Sequence, residues 1–302
     1  MILRSALYVP ATRPELFEKA LASAADAVIL DLEDAVAEQR KGEARAIVVE
    51  LLGQRGTAGG SEAAGPPARP AKPVYVRVNA VGTRHAHADV AAVAVLPIAG
   101  IRVPKVEGEE HVRAVAGWLQ GAAAAAGALP GPALELWCLI ESALGLERAF
   151  EIASAHPAVA SIGLGETDLR ASLRLGPGDE GLSYARGKLV AAARAAGLAS
   201  PMQSVFTDLK DMDGLRASCA LGRSLGFLGR SCVHPHQLET INEAFTPTEE
   251  DAVRAREIVD ALASAEETGA GAVALPDGRF VDLAVAEQAR VTLALAAAVG
   301  TR

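Results

Sequence analysis

Eight short apolar runs, each followed by a stretch of helical character, predict an α/β protein: a (β/α)8 TIM barrel with a C-terminal helical extension. Three observations carry that expectation. The runs are nearly continuous in apolar residues rather than alternating, as strands of a parallel sheet buried on both faces are. The strand and helix patterns repeat eight times within 302 residues, a length at which such barrels occur as one domain. No G-x-G-x-x-G follows the first run, which counts against an open dinucleotide-binding sheet.

Taken in order, strands are expected at 6–10 (ALYVP), 27–32 (AVILDL), 74–79 (VYVRVN), 100–106 (GIRVPKV), 134–142 (LELWCLIES), 159–165 (VASIGLG), 201–206 (PMQSVF) and 226–234 (GFLGRSCVH). Helices are expected between them at 14–22, 41–52, 87–95, 109–121, 144–155, 181–196 and 208–225, then at 235–244 and 247–267. Residues 1–245 read as the barrel and 246–302 as an extension, in which a hairpin or extended turn after Gly269 precedes a final helix. The low-complexity stretch 56–73 (GTAGGSEAAGPPARPAKP) reads as a flexible insertion on the face opposite the C-terminal strand ends.

The formal net charge is −8, with no cluster of Lys and Arg, which argues against nucleic acid and anionic membranes as partners. A few local cations can still hold a small anion. Cys138, Cys219 and Cys232 are widely spaced and odd in number, so reduced buried thiols are expected rather than a disulfide framework or a zinc site. Pro10 and Pro14 break the N-terminal apolar stretch before it reaches signal-peptide length, and the Ala-rich 121–134 is too interrupted to span a bilayer. A soluble cytoplasmic protein is the expectation.

Polar residues fall at the C-terminal ends of the expected strands, where barrels carry their chemistry. Asp31, Glu33 and Asp34 end the second; Arg77 and Asn79 the third; Lys105 the fourth; Glu141 the fifth. Asp168 follows the sixth, Gln203 lies on the seventh and His234 ends the eighth. Glu141 and Asp168 come from neighbouring strands with no His or Cys at matching positions, a donor set that suits Mg²⁺. A bare pair of acids more often caps a turn and opens a helix; the crowded strand ends turn the reading toward a metal. Thr12 is a candidate N-cap for the first helix, and Arg13 and Lys19 beside it make a candidate phosphate site, set against an ordinary solvated basic face. His234 and His236 read as capping or packing residues, His85 and His87 lack a third ligand, and Trp118 and Trp137 read as core.

The motifs RSALYVPATRPELFEKA, ADAVILDLEDAV, VYVRVN, RVPKVE, LIESALGL, GLGETDL and GFLGRSCVHPHQLETINEAF occur together and in order. Together they resemble the citrate lyase beta-subunit-like branch of the HpcH/HpaI aldolase family. These are CoA-ester lyases that include malyl-CoA and citramalyl-CoA lyases. The resemblance implies a homotrimer that uses Mg²⁺ and a CoA thioester. It implies Glu141 and Asp168 as metal ligands, Glu33 and Asp34 as holders of metal-bound waters, and Asp34 also for work on the substrate hydroxyl. Arg77 would contact the substrate near its carbonyl and carboxylate, and Arg13 and Lys19 would receive the CoA phosphates. Asp282 would reach a neighbouring subunit's site and exchange a proton with the acetyl methyl carbon. The implied reaction is a reversible Claisen-type cleavage of a 3-hydroxyacyl-CoA such as (S)-malyl-CoA or (S)-citramalyl-CoA to acetyl-CoA and glyoxylate or pyruvate. Asp31 is expected to organise Arg77 or a backbone group. Ala11, where many members have Gly, and Glu166 depart from the pattern. The rival readings are a malyl-CoA thioesterase of the same family, a pyruvate-type aldolase, and a catalytically silent subunit that binds acyl-CoA or an acyl carrier.

Overall fold

A computed structural model describes residues 3–58, 72–127, 134–267 and 269–300. The strands are β1 (Ser5–Pro10), β2 (Ala27–Asp31), β3 (Val74–Arg77), β4 (Gly100–Val103), β5 (Glu135–Ile140), β6 (Val159–Leu164), β7 (Arg230–Cys232), β8 (Val273–Ala274) and β9 (Phe280–Val281). The helices are α1 (Phe17–Ala22), α2 (Lys41–Ala58), α3 (Ala86–Val93), α4 (Glu109–Ala125), α5 (Ala143–Glu147), α6 (Ala149–Ser154), α7 (Glu166–Leu173), α8 (Ser183–Ala195), α9 (Met212–Ser224), α10 (Leu238–Ala244), α11 (Glu249–Glu267) and α12 (Leu283–Gly300). The chain divides into two compact units, residues 3–242 and residues 243 onward.

In the first unit, β1 to β7 form one parallel sheet in the order β6-β5-β4-β3-β2-β1-β7. The registers include Pro10 with Asp31, Asp31 with Arg77, and Arg77 with Arg102. The sheet is curled. Arg102 on β4 donates from Nη1 to Ser231 Oγ on β7 at 2.9 Å. Those strands stand four spacings of about 4.8 Å apart, which a flat sheet would not let one side chain bridge. Strand interiors are almost wholly apolar, with Val28, Ile29, Val76, Ile101 and Ile140 fully buried. Burial of this kind, at about 25 cal/mol per Å² of apolar surface, is the main source of stability for a sheet covered by helices.

The closed eight-stranded barrel is corrected to this seven-stranded curled sheet. The expected strand at 201–206 is absent: one isolated bridge joins Gln203 to Arg230, and among the described residues no ladder joins the segment to β6. Pro201 has no N–H for a ladder. The polar side chains that follow are spent on loops and helices, Gln203 Nε2 donating to Ser218 O at 3.1 Å and Ser204 Oγ accepting from Glu166 N at 3.3 Å.

Helix boundaries follow their caps. Asp211 accepts from Gly214 N at 2.8 Å, so α9 starts at Met212 rather than near 208 and buries Leu215, Cys219 and Gly222 along one face. The helix expected at 144–155 is two short ones, broken at Arg148, whose backbone leaves the helical region (φ −96°, ψ 19°). Thr12 is not a cap: Arg13 precedes a 3-10 turn, Pro14–Leu16, with no side-chain cap bond, before the six-residue α1. Of the stretch 56–73, residues 56–58 continue α2, and 59–71 lie outside the described residues. Trp137 is buried, whereas Trp118 is half-buried with its ring against His87 rather than in the core. The three cysteines are buried and free.

The second unit pairs β8 with β9 antiparallel and packs Leu262, Leu275, Val281 and Ala286 together. Among the described residues no helix is long and apolar enough to cross a membrane.

Candidate active site

Beyond β2 the chain turns away from the sheet, and two buried side chains fix that turn. Lys41, at the start of α2, donates from Nζ to the carbonyls of Leu32 (2.9 Å) and Glu33 (2.7 Å), and Asn79 Nδ2 donates to Leu32 O at 3.1 Å. Asn79 is itself held by the fully buried Asp89, which also pairs with Arg45 at 2.6 Å. Carbonyls that would otherwise lack donors are thereby satisfied.

Asp31 ends β2 and meets Arg77, its register partner on β3. The pair is bidentate, Nε to Oδ1 at 2.7 Å and Nη2 to Oδ2 at 2.6 Å, and Asp31 also accepts from the backbone N–H groups of Glu33 and Ala35. Asp31 therefore organises both Arg77 and the loop. Arg77 Nη1 lies 3.0 Å from Glu33 Oε2 and 3.3 Å from Asp34 Oδ2. Burial works against its charge, but Asp31 outweighs burial and holds its pKa above the ordinary value.

Lys105, just past β4, has a left-handed backbone (φ 53°) that turns it toward these acids. Its Nζ lies 2.6 Å from Glu33 Oε1, 3.4 Å from Asp34 Oδ1 and 3.5 Å from Asp168 Oδ2. Glu33 is buried, and burial raises its carboxyl pKa against the pull of Arg77 and Lys105.

Glu141 follows β5 directly. It does not cap α5; Ser142 does, accepting from Gly145 N. Glu141 is buried, and its Oε2 has no hydrogen-bond partner. Burial first, then the charges of Glu33 and Asp168, push its pKa up to about 7. Gly165, at the end of β6, leaves room for this carboxylate: a Cβ there would overlap Glu141 Oε1. Asp168 lies in the first turn of α7 and is half exposed. Glu166, beside it, is pinned bidentately by the buried Arg186 at 2.8 and 2.7 Å.

Asp34, Arg77, Glu141 and Asp168 line one cavity of about 410 Å³, together with Tyr8, Asp31, Arg102, Leu139, Ser204 and Ser231. Glu33 and Lys105 reach it through their bonds to Arg77, Asp34 and Asp168. Around it, Asp31, Glu33, Asp34, Glu141 and Asp168 outnumber Arg77, Lys105 and Arg102 by two formal charges. Among the described residues no three His, Cys, Asp or Glu groups converge as a ready-made metal cage. Two carboxylates on one cavity, Glu141 with an unpartnered oxygen and Asp168, suit a cation that takes few protein ligands and keeps waters or substrate oxygens, as Mg²⁺ does.

Arg13 and Lys19 do not line the cavity; both are exposed, and Arg13 pairs with Glu15. Asp282, in the second unit, caps α12, its Oδ1 accepting from Val285 N at 3.0 Å. His234 caps the 3-10 turn Pro235–Gln237, and His236 hydrogen-bonds to Leu209 O at 2.8 Å. His85 pairs with Glu38 while His87 packs on Trp118, so the two histidines do not act together.

Sequence reasoning passed over Tyr8, Arg102 and Ser231. Arg102 carried a signal, as the one charged residue inside the apolar run GIRV.

The description "HpcH/HpaI aldolase/citrate lyase" fits residues 4–235. The chain belongs to that family. A (3S)-malyl-CoA thioesterase of Cereibacter sphaeroides is 38% identical over 298 residues, covering 98% of this chain and 95% of the relative. An L-malyl-CoA/beta-methylmalyl-CoA lyase of the same species is 35% identical over 312 residues, covering 95% and 92%. Among solved structures, the CitE protein from Mycobacterium tuberculosis in complex with magnesium, acetoacetate and coenzyme A matches with a TM-score of 0.76 and 30% identity. That match covers 98% of each chain. The matches to these three proteins take in both units of this HpcH/HpaI-family chain, whereas the family description ends at residue 235, within the first.

Proposed function

We propose that this chain is a Mg²⁺-dependent carbon–carbon lyase. Its substrate would be a 3-hydroxyacyl-CoA such as (S)-malyl-CoA or (S)-citramalyl-CoA, and its products acetyl-CoA and a small 2-oxo acid, glyoxylate or pyruvate in the simplest cases. The observation that carries the reading is Glu141: a buried carboxylate with an unpartnered oxygen, facing the same cavity as Asp168 within a cluster of excess negative charge. Glu141 and Asp168 would hold the ion, with Glu33 and Asp34 close enough to hold its waters. When bound, Mg²⁺ supplies Lewis-acid polarisation of a substrate oxygen.

The residues divide the remaining work. Asp34, the exposed acid of the group, takes the proton from the 3-hydroxyl. The C2–C3 bond breaks, its electron pair passing into the thioester as an enolate while C3 becomes the oxo carbon. Arg77, held flat by Asp31, offsets the negative charge developing on the thioester oxygen. Asp282 delivers a proton to C2, completing acetyl-CoA. In this reading Asp282 acts from a neighbouring subunit of a homotrimer, and its Oδ2, which makes no hydrogen bond among the described residues, is the oxygen that carries the proton. Arg13 and Lys19 bind the CoA phosphates.

The thioesterase relative supports a second reading in which water breaks the C–S bond instead. Incubation with (S)-malyl-CoA and, separately, (S)-citramalyl-CoA distinguishes the two, with glyoxylate, pyruvate, acetyl-CoA and free CoA thiol followed together. The lyase yields oxo acid and acetyl-CoA in equal amounts, and loses both on EDTA treatment and in Asp282→Asn. Free CoA with intact malate would establish the hydrolase and overturn the lyase.

Gly165→Ala tests the metal site without changing a charge. The added methyl displaces the Glu141 carboxylate, so Mg²⁺ affinity is expected to fall roughly 10–100-fold, as when a ligand loses its orientation. Unchanged Mg²⁺ titration of the variant would remove Glu141 from the site.

A further inference from the structure

Glu166 lines the cavity, yet both of its oxygens are committed to Arg186, which is 3% exposed. A buried ion pair contributes little net stability, because desolvation of the two charges offsets their attraction. What the pair does contribute is a fixed geometry, and it falls at the start of α7. Gly165 is the N-cap of that helix, and no side chain there caps the first turn. Ser, Thr, Asp or Asn would make a better cap, but the Cβ of any of them would overlap Glu141 Oε1. The glycine that admits one candidate ligand thus leaves the helix of the other uncapped. Asp168 lies in the same turn and is half exposed. Its one ion-pair partner among the described residues is Lys105, at 3.5 Å. An uncapped first turn frays readily.

Two contacts stand in for the cap, both through Glu166. Its backbone N–H donates to Ser204 Oγ at 3.3 Å, and its carboxylate takes the bidentate fork of Arg186. Arg186 is in the first turn of α8, a thirteen-residue helix anchored by the fully buried Leu189 and Ala193. Asp179, half exposed, accepts a further bond from Arg186 Nη2 at 3.0 Å.

We propose that Arg186 is a positioning residue of the metal site: acting through Glu166, it holds the first turn of α7 so that Asp168 stays on the cavity with Glu141. The inference rests on the metal assignment in the function proposed above, and holds for a lyase and a thioesterase alike. Charge alone makes the opposite prediction. Loss of Arg186 removes a cation and frees the Glu166 carboxylate beside a cluster already in excess of negative charge, and both changes favour a bound cation. Positioning predicts weaker binding, because a ligand that loses its orientation loses affinity. The sign of the change decides between them.

Calorimetric titration of Mg²⁺ into the metal-free, full-length chain reads the site without turnover. Arg186→Met is expected to bind Mg²⁺ roughly 10–100-fold more weakly than the wild type, and Arg186→Lys, which keeps the charge and loses the fork, to fall between them. Glu166→Gln weakens the same contact from the other end. The double variant is therefore expected to bind within about twofold of Arg186→Met alone. Asp179→Asn leaves the Glu166 fork intact, and its Mg²⁺ affinity is expected within about twofold of the wild type. Melting curves in EDTA show which variants are folded. A folded Arg186→Met or Arg186→Lys that binds Mg²⁺ as well as the wild type, or more tightly, would overturn the positioning role. So would losses that multiply in the double variant, or an Asp179→Asn as weak as Arg186→Met.

Asp168→Asn separates this inference from the reading beneath it, and is expected to lose Mg²⁺ binding. If it does while the Arg186 variants bind normally, the positioning role falls and the metal site stands. An Asp168→Asn that binds like the wild type removes the metal ligand, and with it the site that Arg186 would serve.

Discussion

Substitution of Glu141 by glutamine is expected to abolish Mg²⁺-dependent turnover, a loss of at least about 10²–10³-fold, and at the same time to stabilise the metal-free protein at neutral pH. The two effects have one cause. Glu141 is buried among Glu33 and Asp168, and its pKa is pushed up to about 7 from 4.5. Between those values the native state holds a proton that the unfolded chain has released, so unfolding free energy falls as pH rises from about 4.5 to about 7 and is level on either side. At pH 8 the charged carboxylate costs the metal-free protein up to about 3 kcal/mol, which glutamine does not. In EDTA the melting temperature of Glu141→Gln should therefore exceed that of the wild type at pH 8, and the gap should close below pH 5. Added Mg²⁺ should raise the wild type alone. A gap that ignores pH, or a variant still activated by Mg²⁺, would take the metal away from this residue.

Arg77→Met is expected to be the most destabilising single change at the site. It leaves Asp31, 2% exposed, without its bidentate partner and removes one of two cations from Glu33, 4% exposed. Stranding buried charge in this way costs about 3–5 kcal/mol, or roughly 5–10 °C in melting temperature for a chain of this size. Adding Asp31→Asn should recover much of the stability, because the neutral amide removes the stranded charge and its one oxygen can still accept from the Glu33 N–H, but none of the activity. A lone Arg77→Met that melts with the wild type would show that the cluster is solvated rather than buried.

Much of this architecture could be read from composition along the chain. Apolar runs such as AVIL and ELWCLI can be little other than buried parallel strands, and the acids, Arg77 and Lys105 that follow them emerge together at one end of the sheet. What escaped was set by contacts between distant residues. PMQSVF has the look of a strand, and its backbone does bond the β7 side through Pro201 O and through Gln203 N and O, but among the described residues no ladder joins it to β6. Thr12 has the right type for a cap, yet the chain begins its turn one residue later. Arg102 reads as an oddity until its partner is found 129 residues away on Ser231. The relation of Glu141 to Gly165 is likewise invisible in a linear text, because it is a matter of a missing methyl group.

Because β1 lies between β2 and β7, the order in which the chain leaves the ribosome bears on when the cavity exists. From β2 to β6 each strand finds the one before it already made, a sequence of relatively local pairings. The ladder of Ser5 with Arg230 waits for most of the polypeptide. Until then β1 presents an unpaired edge open to association with other chains. The same late ladder brings in Ser231, so the nascent protein holds its rim acids before it has a floor beneath them.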